Sequence, residues 1–331
     1  MKHILHKTYH ALWIISAIIV GIAAMSLLFK AGTFAYSYFN EGAQSKVVNE
    51  PAVTVQPTKE TIEKRYYTVG STNEPTTVSE GHLVADLETG QIITSNARKV
   101  ALPIASVTKL MTALVAYTQI PQDNTTTVSR RAIATEGWRG GLEVGESVRT
   151  HDLLYPLLLE SSNDASEVIA ESMGRSNFMQ EMNRKARMIG MRNTNFDDPS
   201  GLSSENTSTA EDLFVMLQYI HRRYPEILDI TRTESFSDGL HRWDNRNRIR
   251  SAEETFTGGK TGYTSDAQRT GLAVFTLPLS GGEERKIGVV ILGSQNRERD
   301  IENLISYMQQ HIHYGDQKSL NDLYRSNTVQ Y

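Results

Sequence analysis

A serine followed three residues later by a lysine, Ser106-Val107-Thr108-Lys109, is a pairing capable of nucleophilic chemistry. On a helix such a pair shares a face, so the lysine amine can reach the serine hydroxyl. An amine that is desolvated, or set beside another cation, loses its proton near neutral pH and can serve as a base. Pro103 suits the first turn of a helix and would set Ser106 near a helix N-terminus, where partial positive charge favours an oxyanion. Alone, the pattern equally fits a serine N-cap followed by a solvated lysine.

Two later segments carry compatible chemistry. Ser161-Ser162-Asn163 lies between the apolar stretch Leu153–Leu159 and a helical pattern from Asp164, where a loop can project polar groups into a cleft. The triplet Ser-x-Asn occurs five times in the chain, so only its position distinguishes this copy. Lys260-Thr261-Gly262 occurs once, inside Thr257-Gly258-Gly259-Lys260-Thr261-Gly262-Tyr263-Thr264. Glycines in a strand-like run permit close approach of a ligand, and a lysine beside a threonine there suits a carboxylate. Taken singly, these segments also read as a turn and a Gly-rich hairpin.

The elements that must position them follow from periodicity. Alternation over His82–Leu87, a turn at Glu88-Thr89-Gly90 and a strand over Gln91–Ser95 form a hairpin. Helical spacing then dominates: a helix opened by Pro103 and bearing Leu110, Met111, Leu114 and Val115, then helices over His151–Leu159, Asp164–Met173, Asn177–Ile189 and Thr209–His221. Strand patterns return over Phe256–Tyr263, Arg269–Leu277 and Lys286–Gly293, before a final amphipathic helix over Asp300–His311. Strands at both ends around a helical middle imply an α+β fold. One antiparallel sheet of about five strands, built from both termini and flanked by helices, carries an inserted all-helical subdomain.

Residues Ala11–Phe29 form a 19-residue run without charge, preceded by Lys2 and Lys7. As a helix it would be roughly 28 Å long, enough to span a bilayer. The expectation is a single-pass anchor within residues 1–39 that leaves the remainder outside the cytoplasm, with a cleaved signal near Thr33-Phe34-Ala35 as the alternative giving a secreted or periplasmic protein. Residues 40–80, rich in Thr, Glu, Val and Pro, read as a flexible linker with a reach of about 35 Å. A folded domain is expected over 81–314 and a tail over 315–331. The formal charge of −4 argues against a nucleic-acid partner, and the absence of cysteine excludes disulfides, thiolate-zinc sites and a cysteine nucleophile. The histidines form no metal-ligand signature, so neither metal nor other cofactor is expected.

The order Ser-x-x-Lys, Ser-x-Asn, Lys-Thr-Gly is the motif set of penicillin-binding proteins and class A β-lactamases. Over roughly Gly81 to Tyr307 the chain resembles the D-alanyl-D-alanine carboxypeptidase family, low-molecular-mass penicillin-binding proteins of the serine D,D-peptidase kind. Besides the motifs, the resemblance rests on Gly145-Glu146, Leu153-Leu154-Tyr155, Asn163-Asp164-Ala165, Asp198-Pro199-Ser200-Gly201-Leu202 and Ser208-Thr209-Ala210-Glu211-Asp212. It implies a β-lactamase/D,D-peptidase-like fold and two-step acyl transfer on peptidoglycan stem peptides ending in D-Ala-D-Ala, with β-lactam antibiotics as covalent inhibitors. Ser106 would be the nucleophile and Lys109 its base. Ser161 would relay the proton to the leaving amine, and Asn163 would hold the substrate or Lys109. Lys260 would add positive charge that helps depress the pKa of Lys109. Thr261, with Arg297 or its competitor Arg299, would bind the terminal carboxylate, Gly262 and Tyr263 would belong to the substrate-binding strand with Lys260, and the backbone N–H groups of Ser106 and Tyr263 would form an oxyanion hole.

Larger members of that family add a β-rich domain and an amphipathic C-terminal anchor; here anchoring is expected at the N-terminus instead. That brings D,D-endopeptidases, which cut cross-links with the same site, into contention with carboxypeptidase activity. A β-lactamase is disfavoured because no Glu-x-x-Leu-Asn segment lies between Asn163 and Lys260. A non-catalytic wall-binding module is disfavoured because all three motifs are intact.

Overall fold

The computed structural model describes residues 64–70 and 74–328. The span expected at 11–29 and most of the expected linker lie outside the described residues, and among the described residues no helix is long and apolar enough to cross a membrane.

Among the described residues the strands of four residues or more are β1 (Arg65–Thr68), β2 (Gly81–Asp86), β3 (Ile92–Asn96), β4 (Phe256–Thr264), β5 (Gln268–Pro278), β6 (Glu284–Ser294) and β7 (Ile312–Gly315). Five form one antiparallel sheet in the order β4-β5-β6-β2-β3, so the hairpin from early in the chain completes a meander from its end. The longer helices are α1 (Lys109–Gln119), α2 (Thr150–Tyr155), α3 (Asn163–Ser172), α4 (Arg175–Ile189), α5 (Ala210–Arg223), α6 (Pro225–Arg232), α7 (Arg297–His311) and α8 (Gln317–Thr328).

Strand periodicity explains the layers. Along β5 and β6, Leu272, Val274, Val290 and Leu292 face the core shared with the inserted helices α1–α6. The alternate residues Ala273, Phe275, Ile287, Val289 and Ile291 pack with Ile301, Leu304, Ile305 and Met308 of α7. A sheet buried on both faces needs apolar residues at every position, and these central strands have them. Local chemistry sets the helix ends. The Thr209 hydroxyl accepts from the Asp212 N–H at 3.0 Å to cap α5, whose first turn carries Glu211 and Asp212 and whose last turn carries His221, Arg222 and Arg223.

The domain boundaries expected at 81 and 314 need correction at both ends. Arg65–Thr68, placed in the linker, is a strand paired antiparallel with Ile312–Gly315. Residues 317–328, read as a tail, form α8. The strand Arg-Tyr-Tyr-Thr is short and sits among Thr, Glu and Pro, so its tertiary pairing rather than its own pattern decides it.

That pairing is fastened to the sheet by a buried ion pair. Asp86, fully buried, accepts two bonds from Arg285 (2.8 and 2.9 Å), one from Tyr66 Oη, and backbone bonds from Glu88 and Thr89 (2.8 and 2.7 Å). Burial acts to raise the Asp86 carboxyl, but the bonds from Tyr66, Thr89 and Arg285 outweigh it and hold the pKa below the ordinary value. Asp86→Ala should therefore cost about 3–5 kcal/mol in urea unfolding, because it takes the buried acceptor away from Tyr66 Oη and the Glu88 and Thr89 N–H groups and leaves Arg285 ion-paired with Glu88 alone. The contribution of Asp86 itself should be present above its unfolded pKa of about 4 and fade as pH falls through its lower folded value. A cost near zero, or one unchanged in strong acid, would contradict this account.

Candidate active site

The chain enters the site through Leu102–Pro103, which pairs antiparallel with Thr207–Ser208. The expectation that Pro103 opens the helix is thereby corrected. Proline fits an edge strand as well as a first helical turn, and the pairing, continued by Ile104 N–H to Asn206 O at 3.0 Å, decides between them. Ala105 then adopts a left-handed backbone (φ 46°), and Ala105–Thr108 form a 3-10 turn that runs into α1 at Lys109. Gly201 lies directly against this turn: a Cβ there would fall 2.0 Å from the Ala105 carbonyl oxygen.

Lys109 is fully buried, and its Nζ sits 2.6 Å from Ser200 O, 2.8 Å from Asn163 Oδ1 and 3.1 Å from Ser106 Oγ. Asn163 is held with its oxygen toward Lys109 because its Nδ2 donates to Glu136 O at 2.7 Å. Burial lowers the Lys109 pKa to about 7, against the opposing pull of the Asp198 and Asp164 carboxylates. A neutral amine has two N–H groups and one lone pair. Two of its three neighbours, a backbone carbonyl and an amide oxygen, can only accept. They take the two hydrogens. The lone pair of neutral Lys109 is then left facing Ser106, whose hydroxyl is the one neighbour able to donate.

The second motif reaches the same place by an irregular turn. After α2, Pro156–Glu160 form a π-helical turn, and Ser161 ends it in the left-handed region (φ 65°). Ser162 caps α3 by accepting from Ala165 N–H at 3.0 Å, so the cap reading belongs to Ser162 and leaves Ser161 to the cleft. Lys260 Nζ donates to Ser161 Oγ at 2.9 Å and to Thr261 O at 2.8 Å. Its own pKa is lowered, first by burial and then by Lys109 and Arg297. At both amines burial is the leading cause, and the repulsion between the two cations adds to it at Lys260.

The third motif lies on β4, the edge of the sheet nearest Ser106. A Cβ on Gly262 would stand 2.8 Å from the Ser106 amide nitrogen and 3.0 Å from Ala105 Cβ, so only glycine permits this approach. Arg297, buried, donates to Gly262 O (3.2 Å) and Thr270 O (2.9 Å) and pairs with Glu298. Arg299 is exposed and does not line the cleft. The cleft, about 610 Å³, is lined by Ser106, Ser161, Thr261, Gly262, Tyr263 and Arg297 among others. All nine candidate residues thus meet at one centre.

Several contributors carry no signal of chemical type. Ser200 acts through its carbonyl. Asp198 organises the turn that presents it, accepting backbone bonds from Ser200, Gly201 and Ser203 (2.7, 2.7 and 2.6 Å). The run Asp198-Pro199-Ser200-Gly201-Leu202 carries part of the family resemblance, but its residue types announce no chemistry. Trp138, exposed on the rim, stacks under Arg246 at 4.3 Å. Among the described residues one group, Glu146, Asp238 and His241, brings possible metal donors within 4.8 Å of one another. Its carboxylates face opposite ring nitrogens, Asp238 at Nδ1 (3.1 Å) and Glu146 at Nε2 (3.4 Å), which is the geometry of a bridged histidine rather than of ligands around one ion.

The D-alanyl-D-alanine carboxypeptidase family model matches residues 68–294. The chain belongs to that family. Among its relatives, a D-alanyl-D-alanine endopeptidase of Pseudomonas aeruginosa is 36% identical over 43% of this chain and 47% of its own length. D-alanyl-D-alanine carboxypeptidase DacB2 of Mycobacterium tuberculosis is 32% identical over 61% of this chain and 72% of its own. A solved D-alanyl-D-alanine carboxypeptidase from Mycobacterium tuberculosis superposes with a TM-score of 0.67 at 27% identity, covering 75% of this chain and 98% of that one. The chain spans about half the length of the endopeptidase relatives it matches.

The low-pKa amine is directly measurable. With 13Cε-labelled lysine, one NMR resonance, absent from Lys109→Arg, should titrate with a midpoint at about 7. A Lys109 midpoint near the ordinary value of about 10.4 would show that burial does not strip its proton.

Proposed function

We propose that the protein is a serine D,D-peptidase that removes the terminal D-alanine from peptidoglycan stem peptides through an acyl-enzyme on Ser106. The observation that carries this reading is the fully buried Lys109 amine 3.1 Å from the Ser106 hydroxyl, its pKa brought down to about 7 by burial so that a neutral, basic form is accessible near neutral pH. Ser106 Oγ attacks the carbonyl carbon of the penultimate residue while its proton passes to Lys109. The tetrahedral oxyanion would be met by the Ser106 and Tyr263 backbone N–H groups, donors worth about 3–4 kcal/mol each where such groups have been removed from acyl-transfer enzymes. As the C–N bond breaks, the proton that Lys109 received passes through Ser161, itself hydrogen-bonded to Lys260, to the leaving amine, and Lys109 is again neutral. Thr261 and Arg297 would hold the terminal carboxylate. Water then attacks the ester, the substrate leaves with a new carboxylate, and Ser106 regains its proton.

Penicillins would acylate the same serine, since their strained amide and carboxylate present the same two groups. A second reading, D,D-endopeptidase, is supported by relatives of that activity at 36% and 33% identity. The charge-free run at 11–29 and the Thr/Pro-rich residues after it support a domain tethered to the outer face of the cell membrane, the cleaved and exported form being the alternative.

Fluorescent penicillin should label the wild type and not Ser106→Ala. The acylation rate should rise with pH through a midpoint at about 7 and then level off, because the base must be unprotonated to accept the serine proton. Lys109→Met should slow acylation by about 10²–10⁴-fold. Mass spectrometry of digested muropeptides supplies the decisive comparison: pentapeptides should lose one alanine. Labelling that survives in Ser106→Ala would remove the proposed nucleophile.

A further inference from the structure

The Asn163 carboxamide is buried, yet the segment that orients it is not. Its Nδ2 donates to Glu136 O and its backbone N–H donates to Trp138 O, both at 2.7 Å. Residues 136–139 are exposed and belong to no helix or strand. Exposed, irregular backbone is the part of a structure that opens most readily. An amide oxygen that must stay 2.8 Å from the Lys109 amine therefore depends on whatever fixes that segment.

Gly140, the first buried residue after it, is where the segment is fixed. Its N–H donates to the Asp164 carboxylate (2.9 and 3.2 Å), and a Cβ there would meet Pro156 Cβ at 2.9 Å and Ser162 Oγ at 3.0 Å. Its carbonyl oxygen accepts from Trp243 Nε1 at 2.6 Å. Trp243 comes from a distant part of the chain, the hairpin of Ser235–Ser237 and Arg242–Asp244. It is 1% exposed, and its indole stacks with the rings of Phe236 and His241, their centroids 6.2 and 5.2 Å away. Phe236 stacks in turn on Tyr155 at the end of α2, and His241 lies between Asp238 and Glu146. An indole packed in this way cannot turn to follow a moving partner. Three residues further on, Arg246 covers the Trp138 ring at 4.3 Å while its backbone N–H donates to Leu159 O at 3.0 Å, in the turn that leads to Ser161. Residues 243–246 thus grip the segment at its buried end and at its exposed middle.

The indole supplies a donor that a phenyl ring of similar packing would not. A buried carbonyl denied its donor is costly unless it reaches water. Water lies outward, and a shift of Gly140 in that direction carries Trp138 O and Glu136 O away from Asn163. We infer that Trp243 is a positioning residue for acylation: by holding Gly140 it keeps the 136–140 segment against Asn163, and so keeps the Asn163 oxygen on Lys109. This inference rests on the serine D,D-peptidase reading and deepens it, through a side chain that does not itself line the cleft.

A double-mutant cycle in the full chain tests it. Trp243→Phe keeps a stacked ring and removes the N–H. It should slow acylation of Ser106 at saturating fluorescent penicillin about 10–100-fold, the scale of loss when a catalytic group is misplaced from a distance. In an Asn163→Ala background the same change should alter the rate by less than about twofold, because the group it positions is already gone. Losses that multiply in the two backgrounds would place the effect elsewhere and overturn the inference, as would an undiminished rate in Trp243→Phe. A second measurement does not depend on activity. The Asn163 Nδ2 hydrogens, assigned by NMR from their absence in Asn163→Ala, should exchange with solvent about tenfold faster or more in Trp243→Phe. The Gly259 N–H, which donates to Thr231 Oγ1 at 2.8 Å, should keep its wild-type exchange rate. Equal acceleration at both, or at neither, would overturn the positioning role. Should Trp243→Phe not fold, His241→Gln leaves the indole N–H in place, withdraws a ring stacked on it, and should show both effects in smaller measure. Absent labelling of the wild type sinks the peptidase reading, whereas normal labelling without the coupling sinks only the role of Trp243.

Discussion

Two amines buried a few side chains apart, Lys109 and Lys260, set the terms for the rest of the site. Neither keeps its ordinary affinity for a proton, because a buried ammonium forgoes hydration that nearby dipoles replace only in part. At Lys109 the replacement is deliberately incomplete in kind. Ser200 O and Asn163 Oδ1 satisfy two hydrogens, and the third direction ends on a hydroxyl that can give a proton as well as receive one. A carboxylate in that third position would hold the ammonium form and leave no base. Asp198 and Asp164 do pull in that direction, yet their nearest hydrogen-bonding commitments are elsewhere, to the 200–203 turn and to Gly140 N–H.

Holding that arrangement requires segments far apart in sequence to touch at backbone level. The Lys260 strand approaches the Ser106 turn so closely that no side chain fits at Gly262, and the 198–203 turn approaches it from another side at Gly201. Two non-glycine residues, Ala105 and Ser161, are held in left-handed conformations at the contact points. Such conformations cost about 1–3 kcal/mol each and persist only where surrounding structure over-determines them. The surrounding structure here is a sheet with both faces buried and a helical insertion packed on one of them. The rigidity of that frame is what allows the strain to sit beside the nucleophile rather than relax away.

The central sheet and the larger helices were legible because their periodicities are long and unbroken: β5 and β6 each run 11 residues, and α4 and α5 run 15 and 14. What escaped is short or decided at a distance. The four residues of β1 exist as a strand because β7 lies beside them, and Pro103 belongs to a two-residue pairing rather than a helix. The candidate site was legible as residue types in order, since Ser, Lys, Asn and Arg announce their chemistry. Geometry was not. That Asn163 turns its oxygen to Lys109, that a carbonyl at Ser200 completes the amine's coordination, and that burial outweighs the neighbouring lysine all depend on backbone positions that residue type does not report. Arg297 and Arg299 could not be separated by spacing, and the first turn of α7 separates them by burying one and exposing the other.

Charge shows the same division between composition and placement. An overall balance of −4 excludes a generally basic surface but carries no information about a cleft. The field inside a concave region bounded by low-dielectric walls is set by the groups that line it, and it extends outward most strongly through the opening. Arginine suits such a lining better than lysine would. Its planar fork meets a carboxylate at two points, and it does not lose its proton under the burial that strips Lys109 and lowers Lys260. The same depth in the protein therefore serves opposite ends. It disfavours charge on the amines of Lys109 and Lys260, and it leaves charge on the guanidinium of Arg297.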